Sequence, residues 1–152
     1  MKGEILELIR ADLRTRLTRL AKAAMDAHAA ATDPGSKAES KYDTRNLEES
    51  YLATGQARQV EELAESLRTF ENLRLREFSA GEEIGAGALV EVERDATRLL
   101  FLLAPVCGGL EIEHGGREIT VLSPESPLYR NLDGKKVGDR LDAPPFVIRS
   151  VS

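Results

Sequence analysis

A heptad-spaced apolar stripe runs through the first part of the chain. Its members recur every three or four residues, at Leu6, Ile9, Leu13, Leu17, Leu20, Ala24 and Ala27. Since this spacing keeps one face of a helix apolar, it is typical of a coiled coil. The triplet Asp33-Pro34-Gly35 ends the helix, because proline lacks an amide donor and glycine lets the backbone reverse.

A second helix is predicted directly after this turn. The sequence Ser36-Lys37-Ala38-Glu39 matches a capping box, in which the serine caps the helix and the glutamate reaches back to the cap amide. Further on, apolar residues are again three and four apart, at Val60, Leu63, Leu67 and Phe70. Two long helices joined by a tight turn pack antiparallel, so the sequence predicts an N-terminal helical hairpin with a solvated polar tip.

The proline and glycine content of the chain changes near residue 78. The first 78 residues hold one proline and three glycines, whereas the rest of the chain holds five and nine. Beyond this point, period-two alternation and short apolar runs predict five strands, at 88–92, 97–104, 110–113, 117–122 and 146–151. Before the last strand, Ser126 at a cap, Pro127 at a first helical position and Gly134 after the end predict a short helix. We therefore expect an α+β fold, with a coiled-coil hairpin at 1–77 and a small antiparallel sheet domain at 78–152.

Composition and charge exclude several functional classes. The formal net charge of −5 argues against a protein that depends on bare nucleic-acid phosphate. One cysteine, Cys107, and two distant histidines argue against a disulfide, a zinc site or a Cys/His catalytic centre. The sequence shows no secretory or membrane-spanning segment and no phosphate-binding glycine loop. We expect a cytoplasmic protein that has no intrinsic cofactor and makes no contact with a membrane.

Acidic side chains are concentrated at the predicted tip of the hairpin. Asp33, Glu39 and Asp43 lie there among lysines and further glutamates. Hard cations such as Mg²⁺ take oxygen ligands and share them with a partner's carboxylates or phosphates. Two interpretations stay open: these carboxylates complete a metal site in a partner, or they belong to a solvated helix start of mixed charge.

Two stretches of the second half carry a recognisable motif. Residues 121–128 read Val-Leu-Ser-Pro-Glu-Ser-Pro-Leu, and residues 132–139 read Leu-Asp-Gly-Lys-Lys-Val-Gly-Asp. A strand, Ser-Pro-hydrophobic, a short helix and Gly-Lys-x-x-Gly-Asp in this order resemble the C-terminal signature of the bacterial Gre transcription factors, GreA and GreB. Residues 85–92 are similar to the start of the same domain, and the order and length of the hairpin also fit.

The resemblance implies an FKBP-like C-terminal domain after a coiled-coil hairpin, and it implies a mechanism. In the Gre family the globular domain docks on the rim of the RNA polymerase secondary channel, and the hairpin enters the channel. Tip carboxylates there help to hold a second Mg²⁺ with which the polymerase hydrolyses backtracked RNA. Ser126, Pro127 and Leu128 match the docking segment. The implied partner is RNA polymerase, nucleic acid is met only through it, and the implied Mg²⁺ is shared with its active site.

The tip departs from the family pattern at the first acidic position and again over residues 41–44. Residues 35–40 read Gly-Ser-Lys-Ala-Glu-Ser and resemble the family's Gly-Asp-Leu-x-Glu-Asn. Glu39 matches the glutamate, but Ser36 stands where an acidic residue is expected, and a hydroxyl is a poorer Mg²⁺ ligand than a carboxylate. Asp33 and Asp43 are the carboxylates that could compensate from a nearby turn. The departures favour a factor that occupies the channel without cleaving RNA.

Two other functions are compatible with the same architecture. In the first, the chain is a protein-interaction or chaperone-like module whose hairpin clasps a protein partner. In the second, it is a prolyl isomerase of FKBP type, which needs an aromatic-lined pocket. Beyond its first residue, Phe78, the β domain offers Phe101, Tyr129 and Phe146, too few to line one. The favoured hypothesis is a Gre-like factor that is not itself an enzyme and that modulates elongation or initiation.

Overall fold

The computed structural model describes residues 1–32 and 45–152, with the side chains of 1–26, 29 and 55–152. Along these residues the elements are α1 (Lys2–Thr32), α2 (Arg45–Asn72), β1 (Leu89–Arg94), β2 (Thr97–Leu103), β3 (Glu111–His114), β4 (Arg117–Leu122), α3 (Pro127–Leu132) and β5 (Val147–Val151). Two long helices followed by five strands and one short helix confirm the predicted fold class. Within the described segments, neither long helix is apolar enough to cross a membrane.

Contacts divide the chain into two units. The β unit consists of Met1–Leu8 and Asn72–Ser152, and the helical unit consists of Ile9–Glu71. The first residues of α1 therefore belong to the same unit as the sheet.

In the helical unit, the beginning of α1 pairs with the end of α2. Arg10 Nε donates to the carbonyl of Phe70 at 2.8 Å, and Arg10 Nη2 donates to that of Glu71 at 3.2 Å. Arg14 Nη2 lies 3.6 Å from the carboxylate of Glu71. Because the start of one helix meets the end of the other, the two run antiparallel, as predicted. The guanidinium of Arg10 also supplies donors to carbonyls that the last turn of a helix leaves without partners.

Burial in the helical unit follows the predicted stripes. The side chains buried at this end of the pair are Ile9, Leu13, Leu67 and Phe70. Those half-buried further along are Leu17, Leu20, Val60 and Leu63. The predicted turn at 33–35 and the capping box at 36–39 lie outside the described residues.

The β unit contains one five-stranded sheet in the order β3-β4-β2-β1-β5. β1 pairs antiparallel with β2 and β5, and β3 pairs antiparallel with β4. β4 runs parallel to β2, with Leu100 opposite Ile119 and Leu103 opposite Leu122. The prediction of a purely antiparallel sheet is wrong in this one pairing, and the sheet is mixed.

The composition of β3 and β4 explains the parallel pairing. β3 reads Glu-Ile-Glu-His, whereas β4 contributes the buried side chains of Ile119, Val121 and Leu122. A strand with several buried apolar side chains is best placed inside a sheet, and a mainly charged one at its edge. The chain therefore goes first to the edge and returns through the turn Gly115-Gly116, at φ 60° and 76°. Both glycines have the positive φ that a two-residue type I′ hairpin requires.

One face of the sheet forms a core with α3. Tyr129 and Leu132 enter it from the helix, and Phe101 and Phe146 lie in it with ring centroids 6.1 Å apart. The three aromatic residues counted in the β domain thus pack inside this core.

The start of α1 is held to the β unit by a buried lysine. Lys2 is only 4% exposed, and its Nζ donates to the carbonyls of Arg76 at 2.6 Å and Ser152 at 2.9 Å. Burial lowers the pKa of Lys2. Glu4 adds a second contact, since its carboxylate lies 2.6 Å from Nε2 of His114 on β3.

Glu91 on β1 should make the stability of the β unit depend on pH. Its carboxylate accepts from Arg117 at 2.8 Å and lies 3.5 Å from Arg98. Partial burial raises the pKa of Glu91, but the hydrogen bond and charge of Arg117 outweigh it, and the pKa is lowered. A carboxyl whose folded pKa is lowered stabilises the fold above its unfolded pKa, about 4.3, and this stabilisation is lost as pH falls through the folded value.

We expect Glu91→Gln to melt at a lower temperature than the wild-type protein near neutral pH, with the difference shrinking as the pH falls below about 4. Calorimetric melting at a series of pH values measures it. Glu83→Gln, at an exposed position without an ion pair to either arginine, is the control and should follow the wild type throughout. A melting difference that stays constant down to acid pH would contradict the assignment.

Candidate functional site

The predicted docking segment, Ser126, Pro127 and Leu128, forms the beginning of α3. Ser126 has extended backbone angles, φ −72° and ψ 131°, and its amide donates to the carbonyl of Ser123 at 2.9 Å. Pro127 occupies the first helical position, where its fixed φ fits and its missing N–H costs nothing. The side chain of Ser126 makes no capping hydrogen bond, so the helix does not use its hydroxyl.

The three residues differ in exposure along the first turn of α3. Pro127 is exposed, whereas Ser126 is half-buried and Leu128 packs partly against the core. The next residue, Tyr129, is buried; burial raises the pKa of its phenol, and the charge of Asp133 adds to the effect. The turn thus presents a rigid apolar ring to solvent while its neighbours hold it to the core.

Hydrogen bonds fix both ends of α3. At its start, Arg130 Nε donates to the carbonyl of Pro124 at 3.1 Å, which closes the loop that leads into the helix. After its end, the amide of Gly134 donates to the carbonyl of Ile84 at 2.8 Å, and the amide of Ile84 donates to the carbonyl of Lys135 at 2.7 Å. These bonds set the position of the docking segment on the β unit.

The Gly-Lys-Lys-Val-Gly-Asp motif forms the turn after α3. Gly134 and Gly138 have φ values of 82° and 93°, which a side chain would strain. The carboxylate of Asp139 accepts from the amide of Lys136 at 2.8 Å and closes the turn. The backbone of this turn therefore requires the glycine spacing of the motif, and the turn positions α3.

An open groove of mixed charge lies beside α3. Its lining residues are Arg130, Asn131, Asp133, Lys135, Arg140, Leu141, Asp142 and Ala143. Three cations face two carboxylates, so this surface is more positive than a chain of net charge −5 would suggest. Arg130 and Arg140 were not singled out from the sequence, because only the fold brings the residues before and after the motif together.

The tip residues Asp33, Glu39 and Asp43 lie outside the described residues, so their assignment as Mg²⁺ ligands or channel contacts stays a prediction. Across residues 1–32 and 45–152, as far as their side chains are described, no group of three or more His, Cys, Asp or Glu residues could hold a metal ion.

Solved structures of Gfh1 are similar to nearly the whole chain. GreA factor homolog 1 (Gfh1) of Thermus thermophilus is 24% identical over 94% of both chains, with a TM-score of 0.37. The chain is similar to Gfh1. Gfh1 of Thermus aquaticus is 21% identical over 93% of this chain and 92% of its own, with a TM-score of 0.36. A further structure of the transcription factor Gfh1 is 20% identical over the same shares, with a TM-score of 0.37.

No protein-family model and no curated protein matches the chain. At such identities and TM-scores, the likeness to Gfh1 carries no weight for the partner or activity of this chain. Those have to be argued from its own residues.

Proposed function

We propose that the chain is a Gre-like transcription factor that binds RNA polymerase at the secondary channel and modulates elongation or initiation. The observation that carries the proposal is the first turn of α3. There an exposed Pro127 stands between half-buried Ser126 and Leu128, in a sequence context that resembles the Gre docking segment. A rigid, preordered apolar side chain loses little entropy on binding, which suits it to a protein contact.

The neighbouring groove supports a protein partner with acidic side chains. Arg130, Lys135 and Arg140 outnumber Asp133 and Asp142 in its lining, beside the helix that begins with the docking segment. Complementary charges of this kind accelerate association and fix the register of an interface. The overall charge of −5 disfavours direct binding to nucleic acid, so contact with RNA or DNA is proposed to occur only through the polymerase.

The helical pair is proposed to act as the part that enters the channel. The beginning of α1 is held to the end of α2 by the hydrogen bonds of Arg10 and by the buried apolar side chains of the two helices. At the tip, the donor chemistry of Asp33, Glu39 and Asp43 fits Mg²⁺, which prefers carboxylate oxygens. Such an ion, shared with the polymerase, would supply charge stabilisation to the polymerase's own hydrolysis of RNA.

With Ser36 in place of an acidic residue, we propose that the tip occupies the channel without stimulating RNA cleavage, and that the chain is not an enzyme. Its carboxylates then serve as channel contacts rather than as a complete ligand set.

The test is retention of purified core RNA polymerase by the immobilised full-length protein. We expect retention at about micromolar polymerase, the range of a specific regulatory contact. A chaperone-like module would instead retain unfolded proteins and leave the folded polymerase in the flow-through, which would overturn the proposal.

A further inference from the structure

β3 forms one edge of the sheet, with β4 on its inner side. In the hairpin, His114 pairs with Arg117 next to the two-residue turn, and Ile112 pairs with Ile119. The pair that closes a two-residue hairpin is hydrogen-bonded, and hydrogen-bonded pairs alternate along an antiparallel ladder. The backbone groups of Ile112 and His114 therefore face β4. Those of Glu111 and Glu113 point away from the sheet.

The outer side of β3 is accessible. An open groove of about 390 Å³ lies on the hairpin beside this edge, and it is lined by Glu111, Ile112, Glu113, Gly116 and, from β4, Glu118. Its lining includes no described residue of α1. Side chains alternate between the faces of a strand, so His114, which binds Glu4, lies on the face opposite to the glutamates.

The groove face of the hairpin carries a concentrated negative charge. Glu113 is directly opposite Glu118 across the two strands, and Glu111 is opposite Thr120 on the same face. A hydrogen bond with Glu111 raises the pKa of Glu118, and the negative charge of Glu111 raises it further. Like charges placed opposite each other destabilise a strand pair, so the free edge favours a cationic neighbour.

The same charges argue against a second copy of this chain as the neighbour. If two β3 strands paired antiparallel, Glu111 of each would lie opposite Glu113 of the other. Four carboxylates, two from each copy, would then be brought together along one edge, which disfavours self-pairing.

We propose that the β3 edge accepts an added strand from a protein partner, in the form of an extended segment with lysine or arginine at alternate positions. The outward amides and carbonyls of Glu111 and Glu113 form the backbone ladder to this segment. Its cationic side chains meet the glutamates on the groove face, while the intervening side chains lie on the face of Ile112. Backbone bonds give such a complex its affinity, and alternate side chains give it specificity. The inference is independent of the proposed polymerase contact, which lies at α3.

An acetylated and amidated heptapeptide of alternating lysine and valine is the probe. Titrated into the isotope-labelled full chain, it should shift the amide signals of Glu111 and Glu113 and slow their hydrogen exchange. The double variant Glu111→Lys/Glu113→Lys should bind the peptide at least about tenfold more weakly, since two attractive cross-strand pairs become repulsive. The matched control, Glu61→Lys/Glu62→Lys on exposed positions of α2, should bind like the wild type.

A second peptide separates strand addition from charge attraction and uses only the wild-type protein. Replacing each valine by proline keeps every lysine but restrains the backbone away from a paired strand and removes alternate donors. We expect the proline peptide to bind at least about tenfold more weakly. Equal binding of the two peptides would overturn the proposal, as would the absence of any shift with the valine peptide at about millimolar concentration.

Discussion

Replacing Pro127 by aspartate should weaken binding to core RNA polymerase by more than about a hundredfold, equivalent to about 2.7 kcal/mol. The change removes the exposed apolar ring of the docking segment and places a charge that the interface would have to desolvate. The fold should survive. An aspartate in the first turn interacts favourably with the helix dipole, and a surface substitution of this kind changes stability by only about 0.5 kcal/mol. Equilibrium binding to immobilised polymerase and a melting curve measure both effects.

The matched control is Pro145→Asp, which makes the same chemical change at another exposed proline, in the loop before β5. It should bind polymerase like the wild type. If both variants lost binding equally, the effect would be one of net charge. If neither lost binding, the docking segment would lie elsewhere.

Replacing Leu132 by alanine should destabilise the β unit by about 2–5 kcal/mol. Leu132 is the last residue of α3, is fully buried, and lies in the core shared by the helix and the sheet. Deleting its side chain removes apolar burial and leaves a cavity that Tyr129 and the strands cannot fill without moving. Urea unfolding followed by circular dichroism measures the loss, and a helix less firmly held should also present Pro127 less well.

Leu99→Ala is the matched control, because this leucine of β2 is 37% exposed. It should cost less than about 1 kcal/mol, as surface truncations do. Equal losses for the two variants would show that α3 is not packed as described.

Most of the elements could be predicted from local pattern alone. The heptad stripe from Leu6 to Ala27 predicts helix α1. The alternation in β4 predicts that this strand begins at Arg117 and ends at Leu122. The short helix follows from Ser126 and Pro127, because capping and proline preferences act within one turn. The antiparallel pairing of α1 and α2 follows from two long apolar stripes joined by a short connection.

The parts that the sequence did not predict depend on contacts between distant residues. The parallel pairing of β4 with β2 depends on the order of the strands in the sheet, and local alternation, which β3 and β4 share, does not specify that order. The open edge at Glu111 and Glu113 follows from that same order. Burial of Lys2 could not be read from its residue type, which is usually exposed, because its acceptors lie at Arg76 and Ser152.

At the candidate site, the sequence motif singles out the segment predicted to dock, but not the groove of mixed charge beside α3. Ser126, Pro127 and Leu128 are adjacent in the chain, so a motif can reveal them. Arg130 and Arg140 line one groove only because the turn through Gly134 and Gly138 folds the chain back beside α3.

Docking through α3 is proposed to direct the helical tip into the secondary channel of RNA polymerase. Photo-crosslinking from the tip tests it most directly, with Lys37→p-benzoylphenylalanine in an otherwise wild-type chain that keeps Asp33, Glu39 and Asp43. In the complex with core polymerase, we expect crosslinks to polymerase residues that line the secondary channel near its active centre. Crosslinks confined to the outer surface of the polymerase, or the absence of a complex, would contradict it.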